Sequence, residues 1–244
     1  MAQIISNVDF GFHNRDLQVA NARLSADGSW KKQRIAWIIP AGESINSKVY
    51  VAHRGLIFPP NQAMVPILIK GAEVGAAFQT AIDAVLANPG LREFEYFFTL
   101  EHDNIAPLGT EVLRLIKAME AHPEYATISG LYWTKGEGGV PQIWGDIKDP
   151  VQNFRPQTPI PGQVIECYGL GMGFALYRMS MFRELEAKKV PKPWFKTIGK
   201  DPDDKGVGTQ DLYFWGQVAR PNGFRCAVDC DTLIGHIGDD CRIW

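Results

Sequence analysis

The chain has 244 residues, 45% hydrophobic and 21% charged, with 25 Lys+Arg against 27 Asp+Glu and a net charge of −2. This is the composition of a folded protein long enough to bury a substantial core, and its balanced charge argues against a broad nucleic-acid surface. The opening MAQIISNVDFGFHNRD lacks the basic start and sustained apolar stretch of a secretory signal, and no run approaches the ~20 apolar residues of a membrane span, so a cytoplasmic protein is expected.

Residues 1–33 are polar and irregular and read as an N-terminal arm or an extra edge element, ahead of one domain over 34–244. RIAWIIP, closed by Pro40, and AMVPILIKG, closed by Gly71, read as buried strands. Val74, Phe78, Ile82 and Val85 then follow helical spacing up to Asn88-Pro89-Gly90, which stops the helix. EYFFTL is a strand that ends abruptly at Glu101, His102 and Asp103. Val112, Leu115, Ile116 and Met119 mark a second amphipathic helix, and YATISGLYW is strand-like. This alternation predicts an α/β fold with a mostly parallel sheet, in which ligands bind beyond the carboxyl ends of the strands. Glu101 to Asp103 lie at such an end.

In the second half, QVIECYGLGMGFALYRM suggests two strands flanking a glycine turn, and SMFRELEAK a short helix. A Pro-, Lys- and Asp-rich loop runs from Val190 to Gly208. TQDLYFWGQVA reads as a helix with Thr209 as N-cap, followed by the strand FRCAVDC. The spacing of Cys226, Cys230, His236 and Cys241 approximates a zinc knuckle. Alternation of Phe224, Cys226, Val228 and Cys230 with Arg225, Ala227 and Asp229 instead places both cysteines on one apolar strand face, as reduced core residues.

Several residues have both a bland and a chemical reading. The triplet Glu101-His102-Asp103 is either a solvated loop or a site for a divalent cation that holds a nucleotide diphosphate. His236, between Gly235 and Gly238 in GHIG, is either structural or an imidazole ligand that would suit manganese beside a carboxylate. Asp211 either complements a helix dipole or serves as a general base. Gly169, Gly171 and Gly173 are spaced G-x-G-x-G and lack the downstream acid of a dinucleotide site, so they read as a turn beside a ligand pocket. Trp133, Trp144, Tyr168, Trp194 and Trp215 are either core residues or stacking faces.

Taken in order, IIPAGES, the Val74 to Leu86 helix, YFFTLEHDNIAP, ISGLYW, YGLGMGF, TQDLYFW and the terminal GHIG resemble the GT-A-fold glycosyltransferases, specifically small family-2-like members of bacterial and bacteriophage type, over about residues 34–240. The resemblance implies a single GT-A (Rossmann-like) domain, with a mixed, mostly parallel sheet flanked by helices. It implies Mn2+ or Mg2+ held by Asp103 and His236, with Glu101 toward the nucleotide ribose or the metal through water and His102 between them. Pro40, Ala41 and Glu43 match the first nucleotide-contacting loop. Asp211 matches the base of inverting members, while Gln210, Trp144, Gly169, Gly171 and Gly173 would border the acceptor pocket. The implied reaction moves a sugar from a nucleoside-diphosphate sugar to a hydroxyl of a glycan, protein or other acceptor. A sugar-phosphate nucleotidyltransferase and a non-catalytic nucleotide- or glycan-binding protein are the alternatives. The second is motivated by Phe78-Gln79 standing where many relatives have Arg-Asn.

Overall fold

Every residue of the run YFFTL (Tyr96–Leu100) is buried, which explains why it shows no polar alternation: both faces of this central strand are covered. The computed structural model describes residues 3–6, 32–198, 209–238 and 240–244. In chain order the elements are β1 (Gln3–Ser6), β2 (Ile35–Ala41), α1 (Ser47–Arg54), β3 (Met64–Lys70), α2 (Val74–Ala87), β4 (Tyr96–Leu100), β5 (Asn104–Ile105) and α3 (Glu111–Ala121). They continue with β6 (Thr127–Leu131), β7 (Ile143–Asp146), β8 (Val164–Leu170), β9 (Phe174–Arg178), α4 (Met179–Ala187), α5 (Gln210–Tyr213), β10 (Cys226–Leu233) and β11 (Gly235–His236).

One sheet runs β1-β3-β2-β4-β9-β6-β10-β8-β7. Strands β2, β3, β4, β6, β7 and β10 point one way, and β1, β8 and β9 the other, so the sheet is mixed, with most of its strands aligned in one direction. Helices flank it on both sides. Phe78, Ile82 and Val85 of α2 and Phe182 of α4 pack with Phe97 on one face, while Val112, Leu115 and Met119 of α3 pack with Phe98 and Leu100 on the other.

Four sequence expectations are refined. Of the arm or edge element expected over 1–33, Gln3–Ser6 forms the edge strand β1 antiparallel to β3, while residues 7–31 lie outside the described residues, as do 199–208 of the Val190 to Gly208 loop. Strand β3, expected to be buried throughout, buries only Ile67 and Ile69 fully, because it lies one strand from the sheet edge. The strands on either side of the glycine turn do not pair with each other: β9 lies between β4 and β6, and β8 between β10 and β7. The expected helix at Thr209 is α-helical only over Gln210–Tyr213 and then π-helical over Phe214–Ala219, and Thr209 makes no side-chain capping bond to the backbone.

Cys226 and Cys230 are buried on the sheet face shared with Val228, while Cys241 is exposed. No group of three or more His, Cys, Asp or Glu side chains placed to hold a metal assembles among the described residues. Among the described residues no helix is long and apolar enough to cross a membrane.

Candidate functional site

The acidic triplet is a tight turn between β4 and β5. Its backbone is pinned at both ends, by the bond from Glu101 N to the Gly173 carbonyl (3.0 Å) and by that from Asn104 N to the Glu101 carbonyl (3.1 Å). β11 then docks antiparallel on β5, with His236 opposite Asn104, and Ile237 N donates to the Asp103 carbonyl at 2.8 Å. The chain end folds back to support this: His236 and Trp244 exchange backbone bonds of 2.9 Å in both directions. A two-residue strand far along the chain is thereby fixed against the triplet.

The geometry that results is specific. His236 Nε2 lies 3.5 Å from Asp103 Oδ2, and its other nitrogen, Nδ1, lies 2.8 Å from the carbonyl oxygen of Trp133. A carbonyl only accepts, so Nδ1 carries the hydrogen and Nε2 faces the carboxylate, where it can donate to Asp103 when it carries a hydrogen and offer a lone pair to a cation when it does not. Tyr132 packs edge-on against the imidazole, 5.5 Å between ring centres, and its hydroxyl accepts from Gly173 N at 2.8 Å. The Lys135 ammonium sits 2.6 Å from the same Asp103 Oδ2. Asp103 Oδ1 is buried and has no hydrogen-bond partner among the described residues.

Electrostatics at the turn are governed by crowded carboxylates. Burial, then Asp103, then Asp211 push the Glu101 carboxyl up to about 8. Burial also raises Asp211, against the pull of the Thr209 hydroxyl and the Leu212 N–H. Burial acts in the same direction on Asp103, but hydrogen bonds from His236 and Lys135 outweigh it and hold this carboxyl well below the usual range. The Asp103 carboxylate pairs with Lys135, and a divalent cation bound beside it would favour the charged form of Glu101 as well.

A cavity of about 350 Å³ opens beside the turn, lined by Pro40, Ala41, Gly42, Ala72, Val74, Glu101, His102, Asp103 and Gln210. The loop after β2, the triplet and the start of α5 therefore meet at one place, at the carboxyl ends of β2 and β4. A second cavity of about 310 Å³ shares His102 and Asp103 with it and reaches Ser44, Asn46, Lys135 and Gly238. Glu43 does not line either one: its carboxylate is exposed and pairs with Lys70 at 2.8 Å. Asp211 follows the cavity-lining Gln210 but is itself only 7% exposed, and its Oδ1 accepts from both Thr209 Oγ1 and Leu212 N.

Gly169, Gly171 and Gly173 are all buried and line neither cavity, and Gly171 and Gly173 pack in a layer with Tyr132 and Asn104 beneath the triplet. A Cβ on Gly171 would come within 2.2 Å of the Tyr132 hydroxyl, and one on Gly173 within 2.3 Å of Asn104 Oδ1. Trp144 connects to this layer by donating its Nε1 hydrogen to Gln142 Oε1 at 3.0 Å. Trp194 and Trp215 are core residues, and Phe78 is buried. Gln79 holds the 190–197 segment by accepting from Trp194 N at 2.6 Å, so the Phe78-Gln79 pair serves packing. Sequence reading missed Lys135, Tyr132 and Asn104. The isolated lysine of TKGEGG carried no periodic or motif signal, and only the fold brings it to Asp103.

The donor set suits a divalent cation in part. A carboxylate with an orphaned buried oxygen and a ring nitrogen oriented by a backbone carbonyl are the groups such an ion takes, while a bound diphosphate would have to complete the coordination.

The sequence matches no family model and no curated protein. Among solved structures, A197 from STIV is similar over 86% of this chain and 93% of its own, at 16% identity and a TM-score of 0.56. Weaker likenesses include a CMP:2-keto-3-deoxy-manno-octonic acid synthetase complexed with CTP, at 12% identity, 80% and 89% coverage and a TM-score of 0.43. Another is a 4-diphosphocytidyl-2C-methyl-D-erythritol synthase from Anaerococcus prevotii, at 10% identity, 80% and 88% coverage and a TM-score of 0.38. The likeness to A197 is one of fold: the chain is a single-domain α/β protein of the GT-A-like, Rossmann-like class.

Proposed function

We propose that the protein is a metal-dependent glycosyltransferase that moves a sugar from a nucleoside-diphosphate sugar to an acceptor hydroxyl with inversion. The observation that carries this reading is the convergence of Asp103 and His236 Nε2 at the edge of a cavity lined by the loop after β2 and the end of β4. Pro40, Ala41 and Gly42 would flank the nucleoside, and Glu101 and His102 would lie between it and the diphosphate.

Asp103 and His236 would hold Mn2+ or Mg2+, which when bound neutralises the diphosphate as it leaves. The chain's own part is positioning and proton transfer. Asp211 would be the base: its Oδ1 accepts from Thr209 Oγ1 and Leu212 N, and Oδ2 would take the proton of the acceptor hydroxyl. The acceptor oxygen bonds to the anomeric carbon from the side opposite the breaking bond to the diphosphate. The raised carboxyl of Asp211 suits this task, since a carboxylate of ordinary acidity is a weaker base.

Thermal unfolding with a panel of nucleoside diphosphates, with and without Mn2+, tests the reading. A nucleotide at 100 times its Kd should raise the midpoint by about 5–10 °C, and the rise should need both the metal and Asp103. No shift with any nucleotide in the wild type would overturn it. Release of pyrophosphate from a nucleoside triphosphate and a sugar phosphate would reassign the chemistry to nucleotidyl transfer.

A further inference from the structure

Asp103 Oδ2 serves two groups. The Lys135 ammonium is 2.6 Å from it and His236 Nε2 is 3.5 Å from it, so the lysine occupies the space in front of the proposed cation ligands. Lys135 stands at the start of a short glycine-rich loop. Thr134 N donates to the Val140 carbonyl at 2.9 Å, Val140 N returns to Thr134 Oγ1 at 2.9 Å, and Gly136 and Gly138 take positive φ angles of 96° and 76°. The root of this loop is the residue that orients the imidazole, because the Trp133 carbonyl accepts from His236 Nδ1. The ammonium is thus delivered to the cation ligands by a loop fastened to one of them.

The surroundings give the lysine a second place to go. It lines the cavity of about 310 Å³ whose wall includes Ser44, Ile45 and Asn46, the residues that lead into α1. The amino end of a helix favours negative charge, and a lysine is a compact charge with three donors on a flexible stem. This cavity meets the one beneath the loop after β2 at His102 and Asp103. An anion lying between the two would be within the sweep of the side chain.

We propose that Lys135 is a tethered counter-charge with two positions, on Asp103 in the donor-free protein and on the donor's diphosphate in the complex. It therefore competes with a divalent cation for Asp103 when no nucleotide is present, and acts together with that cation when one is. The inference rests on the reading of this cavity as a donor site. One oxygen cannot serve an ammonium and a dication equally well, since the two cations repel at that distance. Transfer of the ammonium to phosphate oxygens removes the conflict and adds charge-assisted hydrogen bonds to the donor.

Lys135→Met keeps the length of the stem and removes its charge, and Lys135→Arg restores a cation. Titration of free Mn2+, followed by its electron paramagnetic resonance signal without nucleotide, should give several-fold tighter binding in Lys135→Met than in the wild type. With saturating Mn2+, the same variant should bind nucleoside diphosphate about tenfold or more weakly, and Lys135→Arg should recover most of that loss. The opposite signs of the two effects separate this role from general damage to the site, which would weaken both. Mn2+ binding that is unchanged or weaker in Lys135→Met, or an unchanged nucleotide affinity, overturns the inference while leaving the donor site intact. A wild type that binds neither Mn2+ nor any nucleoside diphosphate overturns the donor-site reading itself.

Discussion

His236 donates from Nδ1 to the Trp133 carbonyl oxygen, 2.8 Å away, and this one bond decides what the imidazole can do. It fixes the tautomer, so the opposite nitrogen, 3.5 Å from Asp103 Oδ2, presents a lone pair to any cation between them. His236→Ala should therefore weaken Mn2+ binding by about 10- to 100-fold, beyond the modest metal-independent fall in the unfolding midpoint expected from losing its bond to Trp133 and its packing on Tyr132. Equal Mn2+ affinity in the variant and the wild type would remove His236 from the cation site.

The glycine turn predicts a different kind of loss. Gly173 is buried under the site, and a Cβ there would meet Asn104 Oδ1 at 2.3 Å and the Tyr132 hydroxyl at 2.8 Å. Neither neighbour can easily retreat, because Asn104 is held in β5 and the Tyr132 hydroxyl accepts from Gly173 N. Gly173→Ala should destabilise the fold by about 1–3 kcal/mol through overpacking and should also weaken nucleotide binding. A midpoint within a degree of the wild type would show that the layer beneath the triplet is looser than these contacts imply.

The parts of this architecture legible in sequence are those governed by periodic burial. The helix faces of Phe78, Ile82 and Val85 and of Val112, Leu115 and Met119, and the unbroken run of β4, each follow from covered sheet faces. The meeting of Pro40, Ala41, Glu101, His102, Asp103 and Gln210 at one cavity follows from strand ends that share an edge of the sheet. Helix α1 and strand β7 were not legible. The exposed Tyr50 and Val51 blur the apolar face of α1, and β7 is only four residues long with a glycine at 145. Lys135 was invisible for another reason: its partner is 32 residues away, and its loop has no pattern that points there.

The cysteines give a direct check on the core. Cys167 and Cys226 are fully buried on neighbouring strands with their sulfurs 3.9 Å apart, and burial pushes the Cys226 thiol well up. Cys230 is 4% exposed, and Cys241 lies at the surface. Reaction needs an accessible thiolate, so a thiol reagent should label Cys241 rapidly and the other three only on unfolding. Rapid labelling of a second cysteine in the native protein would contradict the placement of β8 and β10 in the core.

His53 ties the stability of the fold to pH with a definite sign. It lies near the end of α1, its ring edge against Trp37 at 5.8 Å, with Nε2 3.3 Å from the Asn104 carbonyl oxygen. Burial lowers its pKa to about 4, with the Asn104 carbonyl acting in the opposite sense and His102 adding slightly to the fall. The unfolded chain takes up this proton near pH 6.5, whereas the folded one resists it until about pH 4. Acid therefore favours the unfolded state: the contribution is complete above pH 6.5 and lost progressively as the pH falls toward 4, by at most about 3 kcal/mol. His53→Gln keeps a donor for the Asn104 carbonyl and cannot titrate. Between pH 7.5 and 4.5 its unfolding midpoint should fall less steeply than that of the wild type, so that the two curves converge or cross in acid. Parallel curves would mean that His53 is protonated at its ordinary pH in the folded protein, and that the packing of α1 over Asn104 is open to water.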